Sequence, residues 1–410
     1  TIVLVVLTLV VGCIWRRNIS GYQQLRVDDE EETPQNVQQT NIGWKAIRGD
    51  VFRPPSQPLL LSLLCGTGAH LLCCMVVVFI LSCIRLYPSQ RGIFLLRSIL
   101  VYALTGCVNG FVSMRLYKSF NGRRNFTFVG TIAGIWFPVV ALALYVCAMI
   151  PRYLDENSYG LPVMDFVVLC FIWLLFLLPM TLAGAFVARR TPPVRFPVKP
   201  NEETRAIPPI TTRRCLGILV CNPMSPISLL LWPFASMFVE YYFAVHSFLD
   251  GYPFNWFGVS LLVIVVVLAT TVATCIILHF FILLKCEDHK WWWKVYVMAS
   301  VPAWYTFFYD LVVENQIHLS GTPTLIIYMS YSVLQFVSFF LMFAFVGFAA
   351  CLWFNIHLYK VFENDEGQLD SVIELAQELA QETPGETPQE LVQNVETETS
   401  KEEETKQEIV

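Results

Sequence analysis

Apolar residues run in long stretches from residue 1 to about residue 360, and polar residues gather into the intervals between them. A helix needs roughly 20 mostly apolar residues to cross about 30 Å of hydrocarbon, so each long stretch is a candidate span. Nine are legible: 1–15, 58–84, 93–114, 127–150, 163–187, 226–247, 256–284, 295–313 and 323–355. The last is long enough to tilt, kink or hold a turn. The first is short, and residue 1 is read as a cut inside a helix, with an N-terminal region expected ahead of it. A signal peptide fits less well, because Arg16 and Arg17 follow the apolar run and no small-residue cleavage site appears. The expected fold is an all-α polytopic membrane protein of nine transmembrane helices. It comprises a truncated first helix (1–15), a loop (16–57), an eight-helix region (58–360) and a tail (361–410).

Composition agrees with a bilayer environment: 55% of residues are hydrophobic and 14% charged, and the mean hydropathy is +0.56. The net charge of -5 hides a division, since residues 361–410 hold 15 acidic side chains and two lysines while the rest is basic. Lysines and arginines set orientation. Placing 16–57, 115–126, 188–225, 285–294 and the tail with the adjoining Lys360 on one side collects 23 of the 27, against three on the other. That bias predicts a lumenal N-terminus and a cytosolic C-terminus. The sequons at Asn18 and Asn125 then face the cytosol and should stay bare. The 13 cysteines fall mostly inside apolar runs, which reads as packing; Cys286, at a membrane boundary, is a candidate for acylation.

Three cytosolic segments stand out. "GWKAIRGDVFRPPSQP" (43–58) precedes a span. Its Trp44, Arg48 and Arg53 suit a membrane interface, an anionic leaflet or a coat component, and Pro54 and Pro55 stop local helix. The proline-rich, basic loop at 189–214 favours an extended chain against lipid headgroups, with a proline ligand for a modular domain as the alternative. "KCEDHKWWWKVY" (285–296) reads as an interfacial aromatic belt. The tail is expected to be largely disordered from about residue 364, with one short helix near Ser371 and Glu374, which have capping-box spacing.

These strings, with "CGTGAHLL" (65–72), "TGCVNGFVSMRLYKSFNG" (105–122) and "PVRFPVKPNEETRAIPPI" (193–210), resemble the successive signatures of the nonaspanins, the transmembrane 9 superfamily. Order and spacing agree over about 20–360. The resemblance implies a large lumenal domain before the first span. It also implies a role in sorting or escorting other membrane proteins, especially those with glycine-rich spans, through Golgi and endosomal membranes, with the plasma membrane as a further location. It implies no enzyme and no cofactor. Two departures matter: the chain continues past "HLYKVFENDEG" where family members end in a short coatomer signal, and Thr274 stands nearest the place of a seventh-span carboxylate.

Ionisable groups in hydrocarbon cost at least about 2.5–3.5 kcal/mol and are functional candidates. Glu240 and Arg97 lie at similar depth, which fits an ion pair, or else separate snorkelling and a protonated Glu240. His70, in mid-span, is read as a buried structural histidine ahead of a proton relay. Asp310, Glu314 and His318 read as a solvated boundary. Gly106 with Gly110, and Gly130 with Gly134, let helix backbones approach closely, either inside the bundle or in a groove open to a client's helix. Pro179 and Pro233 interrupt two spans. No zinc spacing, nucleophile elbow, phosphate loop or nucleic-acid motif appears. The expected partners are client membrane proteins, lipid and coat components. The competing class is a secondary transporter with a midplane site near Glu240.

Overall fold

The computed structural model describes residues 47–84, 91–154, 163–198, 200, 257–286, 289–317 and 322–382, with single positions at 12, 13, 16, 233, 235, 238 and 242. All regular structure among them is helical: α1 (Pro58–Cys83), α2 (Arg91–Ser119), α3 (Phe126–Leu154), α4 (Val163–Ile172), a wide π turn (Trp173–Leu177), α5 (Leu178–Arg190), α6 (Phe257–Cys286), α7 (Trp291–Ala299), α8 (Val301–Ile317) and α9 (Thr322–Glu382). Among the described residues, five helices are long and apolar enough to cross a membrane, each matching an expected span: Pro58–Cys83, Leu96–Ser119, Phe126–Ile150, Phe166–Arg190 and Pro323–Lys360. The expected spans at 1–15 and 226–247 lie almost wholly outside the described residues.

Two expected spans are interrupted, each at a proline. Pro179 has no N–H for the carbonyl four residues back, and the helix widens into the π turn just before it. The expected span 295–313 is divided between α7 and α8 at Ser300, two residues before Pro302; the Ser300 hydroxyl donates to the Val297 carbonyl at 2.7 Å. Conversely, α9 runs past its expected end and continues to Glu382, so the first part of the acidic tail is helical. Residues 371–382 are rich in Glu, Gln, Leu and Ala, which are strong helix formers, and contain no proline. The short helix expected near Ser371 and Glu374 lies within this extension, which joins it to the last span.

The chain forms two units, Thr1–Arg195 with Pro200–Phe354, and Phe196–Lys199 with Asn355–Val410. In the smaller unit Val198, Leu358 and Tyr359 are buried. In the larger, α2 lies against both α1 and α5, and α3 also contacts α5. The core at this junction is Leu63, Met114, Tyr117, Val129, Ala133, Ala185 and Ala188. The end of α2 is closed by Asn121 in a left-handed conformation (φ 56°), with the Gly122 N–H returning to the Tyr117 carbonyl at 3.1 Å.

Candidate functional site

Three arrangements position chemistry-bearing side chains. The first is a seam of small residues. On α2, a methyl group added at Gly110 would fall on the Thr181 carbonyl of α5, and one at Gly106 would meet Leu177 and Thr181. On α3, Gly130 faces Ala185, and Gly134 faces Thr181 and Leu178. Gly184 answers from α5 against the Cys107 carbonyl. All four predicted glycines therefore face the α5 segment of the same chain at near backbone contact. Such packing holds helices together in lipid, where apolarity does not distinguish one helix from another. One side-chain amide and one indole stitch the seam. Asn109 Nδ2 donates to the Ala133 carbonyl at 2.9 Å, and Trp173 Nε1 donates to the Gly134 carbonyl at 2.8 Å. Pro138 deprives that Gly134 carbonyl of its helical donor, so the indole supplies what the backbone lacks.

The second arrangement is the node made by "GTGAH" in α1. Gly66 meets Asn109 and Ser113 of α2; Gly68 meets Leu341 and Phe345 of α9. Between them, Thr67 accepts a hydrogen bond from Trp136 Nε1 at 2.9 Å. His70 is fully buried. Its Nε2 donates to the Tyr102 carbonyl at 2.8 Å, and its ring stacks on Tyr102 with centroids 4.4 Å apart. Bonding to a carbonyl requires the proton on Nε2, leaving Nδ1 without a partner.

The third is a clasp between segments far apart in sequence. The indole N–H groups of Trp291, Trp292 and Trp293 donate to the carbonyls of Val51, Arg53 and Ser56 at 2.9, 2.9 and 2.7 Å. Pro54 and Pro55 supply no N–H, so this loop cannot build a ladder of its own, and its carbonyls are met from outside. Ile47, Val51 and Phe52 are buried. Trp291 stacks on Trp292 at 4.1 Å, and Phe120 meets Trp292 edge-on at 5.0 Å. Arg53 donates to buried Asp50 through Nε and Nη2, at 3.1 and 2.8 Å. Its guanidinium is thus engaged inside the loop.

The other predicted residues are not gathered at one place. Arg97 is exposed on α2, while Glu240 lies outside the described residues, as does any pairing between them. Arg48 sits in the turn that opens the loop. Thr274 is buried and donates to carbonyls of its own helix, at Thr270 (2.8 Å) and Thr271 (3.0 Å). Asp310 departs from the solvated boundary expected of it: it is 4% exposed and accepts from Gln335 Nε2 at 3.3 Å. The aromatic belt expected at 291–293 is instead largely interior, with Trp291 and Trp292 at 0% and 2% exposure. The signal for it was chemical complementarity, three adjacent indole donors and a proline-rich loop short of them.

These features define the class: a multispanning helical membrane protein whose bundle is closed by small-residue seams. The endomembrane protein 70 family profile matches residues 1–322, and the chain belongs to that family. It is 27% identical over 352 residues to transmembrane 9 superfamily member 2 of Mus musculus, covering 85% of this chain and 51% of the relative. It is 28% identical over 350 residues to member 11 of Arabidopsis thaliana (84% and 51%). Member 9 of the same plant is 29% identical over 353 residues, with the same coverages. The chain thus spans about half the length of the curated relatives it matches. No solved structure matches it.

Proposed function

We propose that this protein is a sorting or escort factor that brings other multispanning membrane proteins, above all those with glycine-rich spans, to their destination. The observation that carries the reading is the seam in which Gly106, Gly110, Gly130 and Gly134 receive the Gly184 face of α5. A client span poor in bulky side chains offers the same complement, and close van der Waals packing is what selects helices in lipid. The stretch just ahead of α5 is apolar and open, with Phe171 at the end of α4 and Leu174 and Leu175 in the π turn at 62%, 57% and 52% exposure. The client enters from there. The family name, endomembrane protein 70, supports the reading of Golgi and endosomal residence with passage to the plasma membrane. The role is non-enzymatic, and Arg48 and the other basic residues of the cytosolic loops meet lipid and coat components.

A quantitative surface proteome of cells lacking the protein tests this, alongside lumenal pH and metal content of their secretory organelles. Loss of a defined set of polytopic proteins with unchanged ion content is expected. Altered ion content with an intact surface proteome would overturn the reading in favour of transport.

A further inference from the structure

Beyond sorting, we propose that the end of the α2–α3–α5 bundle bearing Arg115, Arg124, Arg189 and Arg190 binds a phosphate-bearing anionic lipid headgroup. In the orientation predicted from charge, this end faces the cytosolic leaflet.

Each guanidinium is seated on a phenylalanine ring. Arg190 lies 4.5 Å from the Phe186 centroid and Arg189 5.1 Å from that of Phe126. Those two rings meet edge-on at 5.8 Å, so both cations belong to one unit. Arg124 lies 5.3 Å from Phe128 and Arg115 5.8 Å from Phe111. Phe111 and Phe126 pack on the same apolar core, which ties the Arg115 position to the same junction. Among the described residues no carboxylate pairs with any of these four arginines, and Arg115 Nε is buried without a partner.

The ordinary employment for arginines at the last turn of a helix is to meet its unpaired carbonyls. Here Lys118 does that work, donating from Nζ to the Arg189 and Thr191 carbonyls at 3.1 and 3.0 Å. The guanidiniums are left with ordered positions and uncommitted N–H edges. An arginine held on a ring presents a planar fork that suits phosphate oxygens better than a lysine does. Phe126 and Phe128 lie in the first turn of α3 and Phe186 near the end of α5, and Phe186 and the adjoining Val187 are 39% and 52% exposed. A ligand with acyl chains covers both parts, while a free phosphate covers only the charged one.

The test uses the full chain in nanodiscs of phosphatidylcholine, alone or with phosphatidylserine or a phosphatidylinositol monophosphate, and native mass spectrometry of co-purified lipid. Preferential retention of the phosphomonoester lipid is expected, with a loss of about tenfold in Arg189→Gln/Arg190→Gln. The charge-matched pair Lys290→Gln/Lys294→Gln should retain it. Should the first pair unfold, Arg189→Lys/Arg190→Lys decides, because it keeps the charge and removes the fork; a several-fold loss is expected. Equal retention of phosphatidylserine, full binding by the lysine pair, or equal losses in both glutamine pairs would reduce the site to general charge attraction and overturn the proposal. So would binding of a soluble inositol phosphate as tight as that of the lipid, since the acyl contact would then contribute nothing.

Discussion

Trp291 Nε1 donates to the Val51 carbonyl at 2.9 Å across 240 positions of sequence, and both residues are fully buried. The bond joins the loop ahead of α1 to the first turn of α7, with Trp292 and Trp293 repeating it at Arg53 and Ser56. A buried carbonyl stripped of its donor costs about 1–3 kcal/mol. Trp291→Phe keeps an aromatic ring, removes the donor of this bond and trims the buried indole to a smaller ring. It should lower thermal stability in detergent by about that amount and weaken exchange protection in residues 47–53. Unchanged protection would mean that the ring packing alone holds the loop.

Asp50 and Arg53 form the loop's internal pair, with the carboxylate buried and the guanidinium partly exposed. Removing either partner has a different consequence. Arg53→Gln takes both guanidinium donors from a buried carboxylate, whereas Asp50→Asn leaves a cation able to reach solvent. The arginine substitution should therefore be the more damaging, by about 1 kcal/mol or more. A double-mutant cycle read by thermal unfolding gives the coupling, and zero coupling would make the pair incidental.

The seam predicts a graded response to alanine. At Gly110 the new methyl would meet backbone, the Thr181 carbonyl, which cannot yield without moving α5. At Gly130 it would meet the Ala185 methyl at 3.0 Å and a Leu182 methyl at 3.2 Å, side-chain atoms with some room to shift. Overpacking costs about 1–3 kcal/mol. Gly110→Ala should lie at or beyond the upper end and Gly130→Ala near the lower. Folded yield and melting temperature measure both, and an inverted order would remove the close-contact argument. Client surface levels should fall in step with Gly110→Ala if the seam also serves sorting.

His70 has a stacked ring and one satisfied nitrogen. His70→Phe retains the stack on Tyr102 and removes the side-chain donor to that carbonyl, so a loss of about 1 kcal/mol with client levels intact is expected of a structural histidine. A variant that melts normally but abolishes client delivery would assign the imidazole a functional role instead.

How far the sequence reaches can be read from particular elements. Apolar run length placed α1, α2 and α3 within a few residues, because a helix in lipid must satisfy its own backbone and cover a set thickness. The glycine pairs were legible as sites of close approach, since only a missing Cβ allows backbones to touch. Their common partner was not: nothing local says that Gly106, Gly110, Gly130 and Gly134 all face one segment, α5, from two different helices. Asp310 looked like a boundary residue by its distance from the span end, and its burial follows from the helix that lies beside it, carrying Gln335.

The all-helical membrane class, the charge asymmetry, the family and the interruption at Pro179 were therefore determined by the sequence itself, through length and composition, which are local quantities. Tertiary structure alone decided that Trp173 answers the Gly134 carbonyl freed by Pro138. It also decided that Lys118 caps α5 and that three tryptophans hold the carbonyls of a loop some 240 residues away. The reason is physical: an unsatisfied carbonyl can be counted from sequence, but which donor reaches it depends on how helices cross, and crossing is set by side-chain packing over the whole bundle.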